Sequence, residues 1–274
     1  MSKIPFLLVL KYYWEAKTIF SAHSPFIYQF MKNVMGDKSE SENLRHIELK
    51  RRDLVNSKSS IPFIEYGAGS SVGRNDSKRK VSDVAKNSLS GKRQCRIMHN
   101  LVKQYDLENI LEIGTSLGIS TAYLAVANPN AKIITLEGNP DSANIAKTLW
   151  KELNLESINV NVGEFSNTMN KAIDEFQAID MAFLDGNHRK QATIDYFNLL
   201  KPKAIQKSVF IVDDIYWSKG MNEAWNEIIQ DESVALSIDL FRMGIVFFDH
   251  SVMPKQHFKL ISYKLKPWSI GLFG

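Results

Sequence analysis

The chain has 274 residues, 44% hydrophobic and 23% charged, which supplies a substantial core and excludes wholesale disorder. Its net charge of +4 is uneven: residues 1–96 hold 18 Lys and Arg against 9 Asp and Glu, and residues 97–274 hold 16 against 21. A single cysteine, Cys95, excludes an internal disulfide and a cysteine-rich zinc site, and no run approaches the ~18 apolar residues of a membrane span, so the chain reads as a soluble cytoplasmic protein.

The apolar run Pro5 to Leu10 is short and leads into Lys11-Tyr12-Tyr13-Trp14-Glu15 without a small-residue cleavage site. It reads as a helix start, not a signal peptide. Aromatic and aliphatic residues at helical spacing predict helices over 6–20 and 25–35, parted at Ser24-Pro25, where Ser24 caps and Pro25 takes the first helical position. Residues 36–60 are polar with weak periodicity. The segment from Ile61 ends in the glycine turn Gly67-Ala68-Gly69-Ser70, and the polar run Arg74 to Lys80 follows it where a ligand loop would open an apolar helix. That segment therefore reads as a turn in a front lid. An amphipathic helix is predicted over 91–105. The division expected is an N-terminal helical and loop lid over 1–90 and a main domain over 91–274. The basic residues of the front part are scattered without interleaved aromatics, which argues for a solvated surface over a nucleic-acid interface.

From residue 108 short apolar runs alternate with helical patterns. Strands are predicted over 109–113, 132–136, 158–162, 179–184 and 208–212, with helices over 118–127, 141–154, 166–177, 189–201 and 219–230. This βαβ alternation implies an α/β fold with a parallel sheet covered on both faces. Two further strands, 234–241 and 245–249, are joined by Arg242-Met243-Gly244, too short for a crossover helix. They form a C-terminal antiparallel hairpin and bring the mostly parallel sheet to seven strands.

Leu111-Glu112-Ile113-Gly114-Thr115-Ser116-Leu117-Gly118-Ile119-Ser120 follows the first of these strands and opens a helix. Glycines at 114 and 118 permit a sharp turn and close approach of a ligand. The G-x-x-x-G spacing is neither the dinucleotide fingerprint nor a phosphate-gripping P-loop. Glu137, at the carboxyl end of the second strand, can accept hydrogen bonds from both hydroxyls of a ribose. Together the two features point to a cofactor that contains a nucleoside.

Residues 91–249 resemble class I S-adenosylmethionine-dependent methyltransferases, close to the small-molecule O-methyltransferases of the catechol O-methyltransferase type, whose Rossmann-like layout is five parallel strands and a terminal hairpin. Glu112 to Thr121 matches their first motif and Glu137 stands in the ribose position. The resemblance implies cofactor binding by Glu112, Gly114, Thr115, Ser116, Gly118, Ser120 and Glu137, with Gly163, Glu164 and Phe165 lining the adenine pocket and Asp185 facing the methyl group. The whole chain also resembles a bacterial group sharing His23-Ser24-Pro25-Phe26, the segment at 67–70 and Asp213-Asp214-Ile215-Tyr216-Trp217-Ser218.

Asp185 ends the fourth strand, and Asp213 and Asp214 end the fifth. Neighbouring parallel strands bring these carboxylates together, and three crowded carboxylates repel unless a cation or shared protons offset them. Oxygen-only ligands suit Mg²⁺ or Ca²⁺. The catechol-type enzymes hold Mg²⁺ with a matching Asp, Asp, Asn triplet, so Asp185, Asp213 and Asp214 are the expected metal ligands; Asp185 orienting substrate without metal is the alternative. His188 falls where those enzymes carry a catalytic lysine and can take the acceptor's proton. Asp185, His188 and Asp213 are the expected catalytic residues, with Tyr216 and Trp217 as candidate pocket walls. His23 reads as a capping or packing residue.

The reading that follows is methyl transfer from S-adenosylmethionine to the oxygen of a small hydroxylated molecule, with divalent-metal assistance. The alternatives are an RNA or protein methyltransferase using the basic front end, and a non-catalytic cofactor-binding protein. Acceptor identity and oligomeric state, a homodimer included, stay open.

Overall fold

The computed structural model describes residues 6–62, 78–251 and 255–267; the glycine turn expected at 67–70 and the polar residues from Arg74 to Ser77 lie outside them. The chain opens with α1 (Phe6–Glu15), α2 (Pro25–Gln29) and α3 (Glu42–Val55), then two short strands, β1 (Ser60–Pro62) and β2 (Lys78–Lys80), and the helices α4 (Val81–Ser88) and α5 (Lys92–Tyr105). Strands and helices then alternate through β3 (Asn109–Ile113), α6 (Ile119–Ala127), β4 (Lys132–Glu137), α7 (Pro140–Glu152), β5 (Ile158–Val162), α8 (Phe165–Asp174) and β6 (Ile179–Leu184). The last elements are α9 (Lys190–Leu200), β7 (Ala204–Asp213), α10 (Lys219–Gln230), β8 (Leu236–Asp239), β9 (Met243–Phe247) and β10 (Gln256–Lys259).

An eight-stranded sheet has the order β10-β8-β9-β7-β6-β3-β4-β5. β3, β4 and β5 pair in parallel, as do β8 and β10, while β9 runs antiparallel to both of its neighbours. The chain divides into two compact units, one of residues 38–182 and one combining residues 1–37 with 183–274. No described helix is long and apolar enough to cross a membrane.

In the unit of residues 38–182, Ile110, Leu111, Ile113, Ile133, Ile134 and Leu136 are fully buried. A parallel strand covered on both faces has no polar side, so β3 and β4 read as continuous apolar runs. α3 went unmarked in the sequence because only Leu44 and Ile47 are buried on an otherwise charged helix; the Ser41 hydroxyl caps it, accepting from the Leu44 N–H at 3.3 Å. α4 was missed too, being only eight residues long.

In the other unit, β8 and β9 form the expected antiparallel hairpin and β9 also pairs antiparallel with β7, with Val209 to Val212 fully buried and Phe197, Phe210 and Phe248 clustered edge-on and stacked. The expected seven strands become eight. β10 adds to the edge beyond β8, and its four residues, only Phe258 of them apolar, give no apolar run. The helix expected over 6–20 stops at Glu15, because Lys17 turns into a parallel bridge: its N–H donates to Lys259 O at 2.7 Å and its O accepts from Ile261 N at 2.9 Å. The predicted break at Ser24-Pro25 is present, with the Ser24 hydroxyl accepting from Ile27 N; α2 then widens into a π-helical stretch over Phe30–Met35.

Candidate functional site

The glycine turn is built where β3 and β4 end side by side, Ile113 opposite Leu136. Gly114 has φ +102°, and the N–H groups of Gly114 and Thr115 both donate to Leu136 O, at 3.0 and 3.1 Å. Ser116 has φ +49°, and its N–H donates to Glu137 Oε2 at 2.7 Å. Gly118, at φ +80°, starts α6; its O accepts from Trp150 Nε1 at 2.8 Å, and an added Cβ there would lie 2.7 Å from both Ala146 Cβ and Trp150 Nε1. Glycine is required at 118 on two counts, a left-handed backbone and contact with α7. Leu117, between them, is fully buried in a cluster with Ile61, Val81, Val84 and Ala85, so β1 and α4 hold the turn from outside.

Glu137 is half-buried at the end of β4. Its Oε1 accepts from Asn139 N at 2.8 Å, opposite the bond from Ser116. Burial raises its pKa above the ordinary carboxylate value, and the backbone N–H bonds oppose that shift. Asn139, which no motif in the sequence marks, caps α7 through Oδ1 and donates from Nδ2 to Pro62 O at 3.1 Å. The nearby Gly163, at φ +142°, donates its N–H to Glu137 O at 2.9 Å, which sets the start of α8, with Glu164 as its cap residue and Phe165 as its first, beside the carboxylate's own backbone.

Three of the residues expected to bind the cofactor have side chains joined in hydrogen bonds inside the chain. Glu112 is fully buried, accepting from Ser120 Oγ at 2.6 Å, from Thr135 Oγ1 at 2.7 Å and from the Thr121 hydroxyl. Thr115 is buried with its hydroxyl 2.6 Å from that of Thr135. The side chains of Glu112, Thr115 and Ser120 thus form one internal network that braces the turn from behind. Motif spacing locates such residues but does not say which way they face. Ser116 differs: its Oγ is buried without a hydrogen-bond partner among the described residues.

Burial pushes the Glu112 carboxyl up to about 7, against the three hydroxyl bonds that favour its anion. The unfolded group titrates near 4.3, so between roughly pH 4.5 and 7 the unfolded chain has released a proton that the folded chain keeps. Stability therefore falls across that window by about 3 kcal/mol and levels off above it. Denaturant unfolding at pH 5 and pH 7.5 is expected to show this loss in the native protein and not in Glu112→Gln; an equal pH dependence in both would refute it.

The second set of candidates belongs to the unit of residues 1–37 and 183–274. Asp185 follows β6, and His188 Nε2 lies 3.7 Å from Asp185 Oδ1. Burial holds the His188 imidazole below its ordinary pKa, while the Asp214 charge pulls it back up. Asp213 is buried as the last residue of β7, paired with Met243. Asp214, at φ +51°, donates its N–H to Arg242 O at 2.7 Å, and its Oδ1 faces the Arg242 guanidinium at 3.4 Å. Tyr216, expected as a pocket wall, is buried, with its hydroxyl donating to Asp239 Oδ2 at 2.6 Å and its ring stacked on Phe241. Arg242 was invisible in the sequence because it meets Asp214 only through the β7–β9 register.

Among the described residues no three His, Cys, Asp or Glu side chains come together in a group that could hold a metal, and Asp214, one of the three expected ligands, is turned to a cation of the chain itself.

Residues 111–215 match a family model described as a methyltransferase domain. Over 125 residues the chain is 27% identical to a catechol O-methyltransferase of Niastella koreensis, a match covering 44% of this chain and 56% of that enzyme, so the chain spans little more than half the length of this relative. An O-methyltransferase from Bacillus cereus in complex with SAH superposes with a TM-score of 0.54 at 19% identity, covering 81% of this chain and 97% of that one. The O-methyltransferase TomG from Streptomyces achromogenes in complex with SAM gives 0.55 at 17% identity, covering 81% and 94%. Residues 111–215 are therefore similar to a methyltransferase domain, and the α/β fold is similar to that of the solved O-methyltransferases.

Proposed function

We propose that the protein transfers the methyl group of S-adenosylmethionine to an oxygen of a small hydroxylated molecule. The observation that carries this reading is the turn at 114–118 facing Glu137, where a buried Ser116 hydroxyl without a partner lies beside a carboxylate positioned by two backbone N–H groups. A nucleoside supplies what both lack: an oxygen or nitrogen for Ser116 and ribose hydroxyls for Glu137. When bound, the donor supplies a methyl group activated on a sulfonium. Gly114, Ser116 and Gly118 present backbone to it, Glu137 grips its sugar, and Gly163 to Phe165 border the adenine.

The acceptor loses its proton to His188. Burial keeps that imidazole neutral at pH 7, and once protonated at Nε2 it is offset by Asp185 and Asp214. Asp213, buried at the end of β7, orients the acceptor. Holding acceptor and donor in line, with water stripped away, supplies most of the acceleration.

We read this mechanism without a divalent cation, since Asp214 lies 3.4 Å from the Arg242 guanidinium. Turnover of a catechol-like test acceptor is expected to persist in excess EDTA; abolition by EDTA with recovery on adding Mg²⁺ would overturn the metal-free reading. The rate is expected to fall as pH drops through a value below 6.5, the ordinary histidine pKa, because burial shifts this imidazole downward. His188→Ala should remove that limb and lower the rate by about 100-fold or more; a variant that keeps the limb would point to another base.

A further inference from the structure

Eight of the ten residues of α1 are aliphatic or aromatic, and Lys11 and Glu15 are its only charges. A surface helix normally turns a polar stripe to water and an apolar one to the core. α1 buries Tyr12 and leaves Leu10 46% and Trp14 80% exposed, four residues apart and so on one face. Residues 263–266 extend that face. The Tyr13 hydroxyl donates to Leu265 O at 2.5 Å, Lys266 Nζ donates to the carbonyls of Trp14 and Ala16 at 2.9 Å, and the Phe20 and Tyr263 rings meet edge-on at 5.6 Å. The 3₁₀ turn Tyr263–Leu265 is thereby fixed beside the end of α1, and Phe20 and Leu265 are themselves more than half exposed. All of these residues belong to one unit, and an apolar patch of this kind on a folded chain marks a contact surface.

Charge narrows what the surface meets. Glu15 is the carboxylate of α1, and it is held by Lys259 at 2.6 Å with Lys11 at 3.9 Å. With those two lysines set against it, Lys17 and Lys264 remain; both are exposed, and neither forms an ion pair among the described residues. Lys17 follows α1 by two residues, and Lys264 lies between Tyr263 and Leu265. Lys266 gives its hydrogens to carbonyl oxygens and keeps its charge over the Tyr13 ring, 5.9 Å from the centroid. The patch thus joins exposed Trp, Phe, Tyr and Leu side chains to surplus positive charge. A second copy would set these lysines against one another, and the cores of protein interfaces are depleted in lysine. Trp and Tyr at headgroup depth with lysine among them is the pattern of a surface that rests on anionic lipid. α1 is about 15 Å long, half the thickness of a hydrocarbon core, so it lies on a bilayer and does not cross it.

We propose that the face formed by Leu10, Trp14, Phe20, Tyr263 and Leu265 rests on an anionic lipid bilayer, its side chains entering the headgroup layer while Lys17 and Lys264 pair with lipid phosphates. The inference is independent of the methyl-transfer reading, since it uses none of the residues placed in that chemistry.

The test is flotation of the full-length protein with vesicles of phosphatidylcholine alone and of phosphatidylcholine and phosphatidylglycerol in equal parts. Binding to the mixed vesicles is expected to be about tenfold tighter than to the neutral ones and to weaken as salt rises. Trp14→Ala removes an exposed side chain and keeps the backbone bond from Lys266, so the fold stays intact; it is expected to weaken binding to the mixed vesicles about tenfold. Lys264→Gln is expected to cost about fivefold on the mixed vesicles and nothing on the neutral ones. Sedimentation equilibrium without lipid checks the competing occupant. No binding to the mixed vesicles, equal binding to both kinds, or undiminished binding by Trp14→Ala would each overturn the proposal, as would self-association in the absence of lipid that Trp14→Ala abolishes.

Discussion

Replacing Glu137 by alanine is expected to weaken S-adenosylhomocysteine binding by about 10- to 100-fold, corresponding to roughly 1.5–3 kcal/mol for hydrogen bonds to a charged acceptor. The carboxylate does two things. In the proposed site it offers lone pairs to a sugar, and it joins the glycine turn to the start of α7 by accepting from Ser116 N and Asn139 N at 2.7 and 2.8 Å. Alanine removes both functions, whereas Glu137→Gln keeps one carbonyl oxygen and is expected to fall between the native protein and Glu137→Ala. Calorimetry on folded material separates the cases. An alanine variant that binds with native affinity would remove Glu137 from the nucleoside site, and with it the main support for methyl transfer.

Gly118→Ala is expected to destabilise the protein by about 2–4 kcal/mol. A left-handed backbone costs an L-residue about 1–2 kcal/mol, and overpacking typically adds about 1–3. Here the new methyl would meet Ala146 Cβ and the Trp150 indole at 2.7 Å, in a place already tied by the bond from Trp150 Nε1 to Gly118 O. Relief requires α7 to move away from the turn, so nucleoside affinity is expected to fall together with stability. Gly220 supplies the control. A Cβ there meets nothing closer than 3.5 Å and the residue lies inside α10, so Gly220→Ala is expected to be neutral or stabilising by up to about 1 kcal/mol. Thermal unfolding of the two variants against the native protein checks both; a Gly118→Ala protein as stable as Gly220→Ala would show that the turn tolerates a side chain.

The alternating core was legible because each buried strand is a short apolar run bounded by polar turns, and β3 to β6 lie within a residue of where the pattern puts them. Periodicity fails where burial is slight. α3 buries two side chains in its first half, β10 is an edge strand with only Phe258 apolar, and β7 begins four residues early with an exposed stretch. At the site, the turn and Glu137 could be read because they occupy strand ends, which the order of elements alone locates. Facing could not be read. Glu112 lies two residues before Gly114 in the motif yet points into the core, and Asp214 follows Asp213 yet meets Arg242, which precedes the antiparallel neighbour β9. Such facts depend on strand register and the sign of φ, which residue type does not encode for Asp or Ser.

The bridge between Lys17 and the strand at Leu260 has a consequence for biosynthesis. Residues 38–182 are continuous and can collapse as soon as they leave the ribosome, but the bridge of Lys17 can close only after some 240 further residues have been translated, on the order of ten seconds or more at bacterial or eukaryotic speeds. Throughout that interval the leading segment, with Leu10, Trp14 and Phe20 still exposed even in the finished fold, is an adhesive end without its berth, a natural client for a holding chaperone on the nascent chain.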